Sequence, residues 1–428
     1  MKVLIVGSGG REHALAWKAS QSPLVEKIFV APGNGGTALE RSIVNVPIPA
    51  NDIQALANFA CDNKIDITIV GPEDPLVEGI TDFFKSKNLN CFGPSKAAAQ
   101  LEGSKEFMKE FLIRHNIPTA GHQSFIDSKE AINYIKENGC PLVIKADGLA
   151  AGKGVTVAHT ELEAIEAVEQ CLNKNIFGKA GMKVIIEDFL EGEEASFIVL
   201  TDGETILPFA SSQDHKARDD KDLGPNTGGM GAYSPAPVVT PSIHKKIMED
   251  IIFPTVRGLN KDGNKYCGFL YAGVMIDENK NLKVLEFNCR LGDPETQPIM
   301  MRLNSDIVKI CYEASTGKLQ DQRLQWKAEV ALGVVMASGG YPASYDVGHQ
   351  ITDIPMDTKH TKVFHAGTEY KNGKLTSSGG RVLCVTALGK NTFEAQKLAY
   401  ESVNEIKWQD SFNRSDIGYR AIERETYE

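Results

Sequence analysis

The sequence has no Cys-x-x-Cys pair, no block of lysines or arginines, and no apolar run long enough to span a bilayer. Each absence removes a class of protein. The eight cysteines are scattered, which excludes a zinc ribbon or a disulfide frame and suits buried, reduced thiols. With a net charge of -10 and a pI of about 5.5, nucleic acid is not an expected partner. No basic leader precedes the apolar stretch at Lys2–Val6, and no internal repeat or low-complexity tail is seen. A cytoplasmic monomer acting on small molecules, away from membranes, is therefore expected. What remains is an ordinary globular composition, 42% hydrophobic and 24% charged over 428 residues. That is room for two to four domains at roughly 100–200 residues each.

The most informative stretch is 282–297, Leu-Lys-Val-Leu-Glu-Phe-Asn-Cys-Arg-Leu-Gly-Asp-Pro-Glu-Thr-Gln. Strand alternation puts Val284, Glu286, Asn288 and Arg290 on one face, with Leu285, Phe287 and Cys289 on the other. A carboxylate and an amide two residues apart can hold a hard cation such as Mg²⁺, which takes few protein ligands and fills the rest with water and phosphate oxygens. Arg290 would then lie one step further along, over an anion. A solvated strand face can carry the same letters by chance, but the rigid turn Leu291-Gly292-Asp293-Pro294-Glu295 that follows argues for a built site.

Taken in order, the first hundred residues read as a doubly wound parallel sheet. Strands are expected over 2–6, 27–31 and 66–71, and helices from about Arg11 and over 52–63 and 76–87. A dinucleotide site is excluded, because the third glycine of G-x-G-x-x-G would fall at Glu12 and no ribose-binding acid stands near 29–33. The turn Gly7-Ser8-Gly9-Gly10 is either a phosphate cradle at a helix N-terminus or simply a tight turn. Gly71-Pro72-Glu73-Asp74 lies at the carboxyl end of the same sheet and is a weaker substrate-site candidate.

Lys105 falls in the first turn of a helix over 104–116, where a bound anion would relieve its conflict with the helix dipole. A second α/β unit follows, with helices over 128–138 and 160–173. The strand 142–145 ends at Lys145 and leads into Ala146-Asp147-Gly148-Leu149-Ala150-Ala151-Gly152-Lys153-Gly154. That loop is one residue short of a Walker A turn and has Gly154 where Ser or Thr belongs, so it is a different glycine-rich phosphate loop. The apolar strand 184–190 ends in Glu191-Gly192-Glu193-Glu194, which can offer an adenine edge its backbone and ribose a carboxylate. A hairpin about Asp202-Gly203 precedes a long irregular stretch over 214–231, and loops of that length in a compact domain are usually functional. His215, between Asp214 and Lys216, belongs to this candidate substrate loop. A helix over 241–260 and a strand over 269–277 return to the central stretch. From Lys327 a small α+β unit begins, with strands over 329–336, 363–368 and 381–387, a turn at Asn372-Gly373 and a helix over 392–406.

Five motifs in this order resemble those of the phosphoribosylamine–glycine ligases, an ATP-grasp family. They are Gly7 to His13, Gly71-Pro72-Glu73, Lys145 to Gly154, Gly224 to Pro235, and Arg290 to Glu295. The resemblance implies an α/β ATP-grasp fold with an N-terminal domain over 1–103, a lid with its leading helix over 104–192, a large subdomain over 193–326 and a C-terminal domain over 327–428. It implies ligation of glycine to 5-phosphoribosylamine in purine biosynthesis, with ATP and Mg²⁺ or Mn²⁺, through glycyl phosphate. Carried over by position, Lys105, Lys145, Gly152, Lys153 and Gly154 meet ATP phosphates, and Glu187, Leu190 and Glu194 meet adenosine. Glu286 and Asn288 hold the metal, and Lys145 and Arg290 serve catalysis. Gly9, Gly10, Asp214, Lys216, Asn226, Thr227, Arg290, Gly292 and Asp293 meet the other substrates. Two departures stand out. Val274 occupies a position where many ATP-grasp enzymes have a further metal-binding acid, with Asp277 a doubtful substitute, and Ala217 separates Lys216 from Arg218. Another ATP-grasp ligase or carboxylase would share the ATP residues but not 214–231 or 291–295. A nucleotide sensor without catalysis would lack Glu286, Asn288 or Lys145.

Overall fold

The computed structural model describes residues 1–149, 154–174, 176, 178–320 and 323–427, without the side chains of Lys179 and Tyr427. Its N-terminal sheet has five parallel strands in the order Ile43–Asn45, Lys27–Pro32, Lys2–Gly7, Ile67–Val70, Cys91–Phe92. The central strand is apolar at every position from Val3 to Val6 because both its faces are covered. Leu4 and Val6 pack into one hydrophobic cluster and Val3 and Ile5 into another. Parallel pairing brings Gly7 level with Pro32 and Val6 level with Val70. The loops at Gly7–Gly10, Gly33–Asn34 and Gly71–Pro72 thus emerge together at the carboxyl edge, where ligands of such sheets bind. The helix expected over 76–87 is two, Glu73–Glu78 and Ile80–Ser86, broken where Gly79 takes φ 101°.

A four-stranded antiparallel sheet follows, in the order His122–Phe125, Val184–Asp188, Leu142–Ala146, Val155–Ala158. The helices Ser128–Asn138 and Glu161–Val168 bury Ala131, Ile135, Ala164 and Val168 against it. A second antiparallel sheet runs Ile206–Pro208, Glu193–Thr201, Gly268–Ile276, Leu282–Asn288.

In the strand Leu282–Asn288 simple alternation fails. Gly273 pairs with Glu286, but its neighbour Val274 pairs with Val284, so Leu285 is an extra residue in the ladder. Such a bulge reverses the parity of everything beyond it. Val284 therefore joins Phe287 and Cys289 in the core, while Glu286 and Asn288 turn to the cavity. The expected face shared by Val284 and Glu286 does not exist.

The last sheet is ordered Gln213–Asp214, Gly231–Ser234, Val330–Ser338, Arg381–Gly389, Thr361–His365, with Ser411–Phe412 beside Val330–Ser338. The stretch expected to be irregular over 214–231 is bounded by two of these strands and forms the small hairpin Ala217–Asp219/Leu223–Asn226 between them. Its strands are two to four residues long and interrupted by Gly and Pro, too short for a period-2 signal. The helix Thr296–Arg302 was equally invisible, because all seven of its residues are buried and it has no polar face to reveal a helical period. Among the described residues no helix is long and apolar enough to cross a membrane.

Candidate functional site

A cavity of about 400 Å³ opens where residues from distant parts of the chain, Arg11 to Arg381, converge. It lies between the lid sheet, the bulged strand Leu282–Asn288, the helix start at Glu73 and the strand start at Arg381. The local chain paths explain the convergence. Lys145 lies one residue before the end of its strand, Lys105 starts a helix, and residues 226–228 and 292–295 close the cavity from the other side.

At one corner are the lysines. The Lys145 ammonium donates to Glu187 Oε2 at 3.0 Å and to the carbonyl of Leu285 at 3.1 Å. The latter belongs to the extra residue of the bulge. Lys105 Nζ donates to the carbonyl of Gly148 at 2.8 Å, and its pKa is lowered by burial and then by the Lys145 charge. The anion expected at this helix start is supplied in part by the chain. Asp147 Oδ1 accepts the backbone N–H groups of Lys105 at 2.8 Å and Glu106 at 3.2 Å. Glu187 is 2% exposed, and its side chain is held by Lys145 and by Lys109, a fully buried lysine that sequence reasoning passed over. Both lysines bond its Oε2, and the buried Oε1 has no hydrogen-bond partner among the described residues. Leu190, Glu194 and Gly154 line the same cavity, whereas Gly152 and Lys153 lie outside the described residues.

Along the opposite wall the bulge presents Glu286 and Asn288. Glu286 is held at a pKa of about 2, first by the Lys216 ammonium 3.4 Å away and further by Lys145, Arg290 and Lys105. Lys216 also pairs closely with Glu194, so one ammonium bridges two cavity carboxylates. Asn288 is buried and lines the cavity two residues from Glu286. Among the described residues no group of three or more His, Cys, Asp or Glu is placed to hold a metal ion. One carboxylate and one amide fit a hard ion that draws its other oxygens from phosphate and water, and fit a closed transition-metal site poorly. Val274 packs in the core opposite Val284, and Asp277 is tied to Asn281 in an exposed turn, so neither faces Glu286.

Arg290 is gripped from two sides. Its Nε lies 3.1 Å from Glu73 Oε2 and its Nη2 lies 2.9 Å from Glu102 Oε1. Glu102 also accepts the Cys289 N–H at 2.7 Å. Glu73 thus serves as an arginine partner, shared with Arg11 at 3.4 Å, and the two guanidiniums outweigh burial to hold its pKa near 2. A carboxyl depressed from 4.5 to about 2 contributes stability above pH 4.5 that is lost as pH falls toward 2. Glu73→Gln should therefore destabilise the fold by about 3 kcal/mol at pH 7, with about 2 kcal/mol of that difference gone by pH 3. Urea melts of both proteins at the two pH values check this, and a pH-independent difference would contradict it.

On the remaining side are the substrate-loop residues. Asp214 lines the cavity with its pKa raised well above the usual range by burial, partly opposed by Lys216. Asn226 lines it too, and Thr227 is fixed by donating its hydroxyl to the Lys216 carbonyl at 2.8 Å. At Gly292 an added Cβ would lie 2.4 Å from a Glu295 oxygen, so a larger residue there would displace the Glu295 carboxylate. Asp293 accepts the Arg11 N–H at 3.3 Å and a Gln297 amide hydrogen at 3.0 Å. Arg381, also missed in the sequence, ties this region together by donating from Nη1 to the carbonyls of Gly228 and Asp293, each at 2.6 Å. Two residues stand apart from the cavity. Arg218 pairs with its neighbour Asp219 at 2.8 Å, and buried His215 accepts the Gly418 N–H at 2.9 Å.

Next to the cavity, and sharing Arg11, Asp293 and Arg381 with it, is a cleft of about 520 Å³ lined by Gly9, Asn34 and Thr368. The Gly9 N–H donates to Glu12 Oε2 at 2.5 Å, so the residue that broke the dinucleotide fingerprint closes the glycine turn itself. Gly10 packs against Gln297 and Asp293, where an added Cβ would meet the Gln297 amide at 2.4 Å.

Comparison with known proteins fits this geometry. Models of the phosphoribosylglycinamide synthetase N domain, ATP-grasp (A) domain and C domain match residues 1–102, 103–296 and 331–420. Phosphoribosylamine–glycine ligase of Escherichia coli (strain K12) is 60% identical over 427 residues, covering 99% of this chain and all of the relative. That of Vibrio vulnificus (strain CMCP6) is 59% identical over 426 residues, covering 99% of both. The crystal structure of the Thermotoga maritima phosphoribosylamine–glycine ligase superposes with a TM-score of 0.84 at 33% identity, covering 97% of this chain and 100% of that one. A Campylobacter jejuni biotin carboxylase complex gives 0.74 at 14% identity, covering 96% and 92%, a likeness of fold alone. With all three domain models matched in order and relatives alike from end to end, the chain belongs to the phosphoribosylglycinamide synthetase family of ATP-grasp ligases.

Proposed function

We infer that this chain joins glycine to 5-phosphoribosylamine at the expense of ATP, giving glycinamide ribonucleotide, ADP and phosphate in purine biosynthesis. The observation that carries the reading is the meeting of three chemistries in one cavity: Lys105 and Lys145, the Glu286–Asn288 pair, and the doubly held Arg290. Phosphoryl transfer needs placement and charge neutralisation more than a protein base, and this wall of cations suits it.

In this reading Lys105, Lys145 and the loop through Gly152, Lys153 and Gly154 hold ATP phosphates, and the backbone about Glu187 and Leu190, with Glu194, holds adenosine. Glu286 and Asn288 bind Mg²⁺ or Mn²⁺, which when bound offsets phosphate charge. Arg290 orients the glycine carboxylate toward the γ-phosphorus. A carboxylate oxygen forms the new P–O bond as the bond to ADP breaks, giving glycyl phosphate. The amine of phosphoribosylamine then attacks the carbonyl carbon, the C–O bond to phosphate breaks, and the amine proton is released. Cys289, next to Arg290, does bond its thiol to Glu102 Oε2 at 3.0 Å, but it is buried in the core, does not line the cavity and has its pKa raised by burial, which supports a direct route over an acyl-enzyme. The cleft at Gly9 and Gly10 is the natural seat for the phosphoribosyl moiety, entering past Asp293, with Asp214, Lys216, Asn226, Thr227 and Gly292 about the reacting groups. Four parts, 1–103, 104–192, 193–326 and 327–428, would meet around these substrates in a cytoplasmic monomer.

The test follows the atoms. ADP release should require ATP, glycine and phosphoribosylamine together, and ¹⁸O in the glycine carboxylate should appear in released phosphate, one labelled oxygen per turnover. Label absent from phosphate, or carried into AMP-linked products, would overturn the acyl-phosphate route. Turnover with bicarbonate in place of glycine would favour a carboxylase.

A further inference from the structure

We propose that Lys109, which does not line the cavity, is a positioning residue that keeps the ATP-phosphate corner positively charged by sharing Glu187 with Lys145. The proposal rests on the reading of that corner as the ATP site. Lys109 follows Lys105 by one helical turn, so both face the lid sheet from the helix Lys105–Arg114. Its side chain is fully buried. All three of its N–H directions are taken, by Glu187 Oε2 at 3.0 Å, Thr119 Oγ1 at 2.9 Å and the Ala120 carbonyl at 3.4 Å. It has no donor left for a ligand.

Lys145 is placed differently. Glu187 and the Leu285 carbonyl take two of its N–H groups, and the third is left for the cavity it lines. Between these two ammoniums stands a single enclosed carboxylate. Had Glu187 only Lys145 to pair with, the two would form a neutral pair, with little attraction for phosphate beyond one hydrogen bond. Shared between two lysines, it neutralises half of each, and the surplus positive charge is expressed where the side chain reaches the cavity. Among groups this buried that surplus acts strongly on an incoming polyphosphate. Glu187 in turn helps keep Lys109 charged, since burial and the Lys145 charge hold the lysine pKa down at about 8 even with the carboxylate beside it. Thr119, whose hydroxyl meets Lys109, also donates to the Val284 carbonyl at 2.8 Å, so the device is anchored to the strand that carries Glu286.

Calorimetric binding of ATP and of adenosine to the intact chain tests this. Lys109→Met should weaken ATP by about tenfold, the scale of one charge-assisted hydrogen bond, and leave adenosine within about twofold of wild type. In Lys109→Met/Glu187→Gln the carboxylate that would neutralise Lys145 is also gone, and ATP affinity should return toward wild type. Glu187→Gln alone should not weaken ATP relative to adenosine, which keeps the test open should Lys109→Met fail to fold. Unchanged ATP binding in Lys109→Met, equal losses for ATP and adenosine, or losses that add in the double variant would each overturn the proposal. Lys145→Met separates the two levels: ATP binding unaffected by that change would overturn the ATP-site reading itself.

Discussion

Glu286→Gln should give a folded chain whose turnover is down by about 100- to 1,000-fold at saturating Mg²⁺. The substitution keeps shape, so no cavity opens and the strand pairing of Gly273 with Glu286 is undisturbed. What changes is charge. Lys216, Lys145, Arg290 and Lys105 all act on this carboxylate, and its pKa near 2 records how strongly they favour the ionised form. Removing the negative charge leaves those cations facing one another and removes the only carboxylate on the bulged strand's cavity face. A neutral amide is also a poor ligand for a hard divalent ion. The metal concentration for half-maximal activity should therefore rise along with the fall in kcat. Lys216 keeps its contact with Glu194, so thermal stability should change by only about 1 kcal/mol. Near wild-type turnover with unchanged metal dependence would remove Glu286 from the metal site.

The second large effect is expected at Arg290, and there it should fall on stability as well as activity. Arg290→Met is expected to lower kcat/KM for glycine by about 1,000-fold, because an aliphatic chain of similar length offers no donor to a carboxylate. It also strands Glu73 and Glu102, which face Arg290 at 3.1 and 2.9 Å. Breaking an enclosed ion pair by removing one partner costs about 3–5 kcal/mol, more than the pair itself contributes. Glu73 retains Arg11, so the larger share of this cost belongs to Glu102, whose pKa burial already raises against the Arg290 charge. The sign with pH follows. Without the guanidinium both carboxyls protonate more readily, so the stability deficit should shrink as pH falls through the ordinary carboxylate range near 4.5. Arg290→Lys restores a charge but not the forked geometry and should recover more stability than activity. Urea melts at pH 7 and pH 4 together with glycine saturation curves decide the matter. A deficit below about 1 kcal/mol for Arg290→Met would show that the carboxylates do not depend on it.

The sequence by itself determined the kinds of group at the site and the sheet that carries its first loops. Val3–Val6 is apolar at each position, which only a strand covered on both faces tolerates, and a parallel sheet follows from it. Glu286, Asn288, Arg290 and the turn after them are neighbours in the chain, so their types and order were legible before any fold was known. Tertiary structure alone decided which way they point and what holds them. Alternation along 282–288 put Val284 and Glu286 together, and the bulge at Leu285 parted them because pairing with the strand Gly268–Ile276 overrides local period. The partners of Arg290 lie 217 positions away at Glu73 and still far off at Glu102. Arg381, 153 positions beyond Gly228, bonds its carbonyl. Lys109 carries no signal of its own in the helix Lys105–Arg114, and it is the lid sheet that buries it against Glu187. Periodicity and spacing report only on residues within a turn or a strand of each other. A buried charge finds its partner through the packing of whole sheets, and for that reason the phosphate corner, the grip on Arg290 and the orientation of Glu286 belong to the fold.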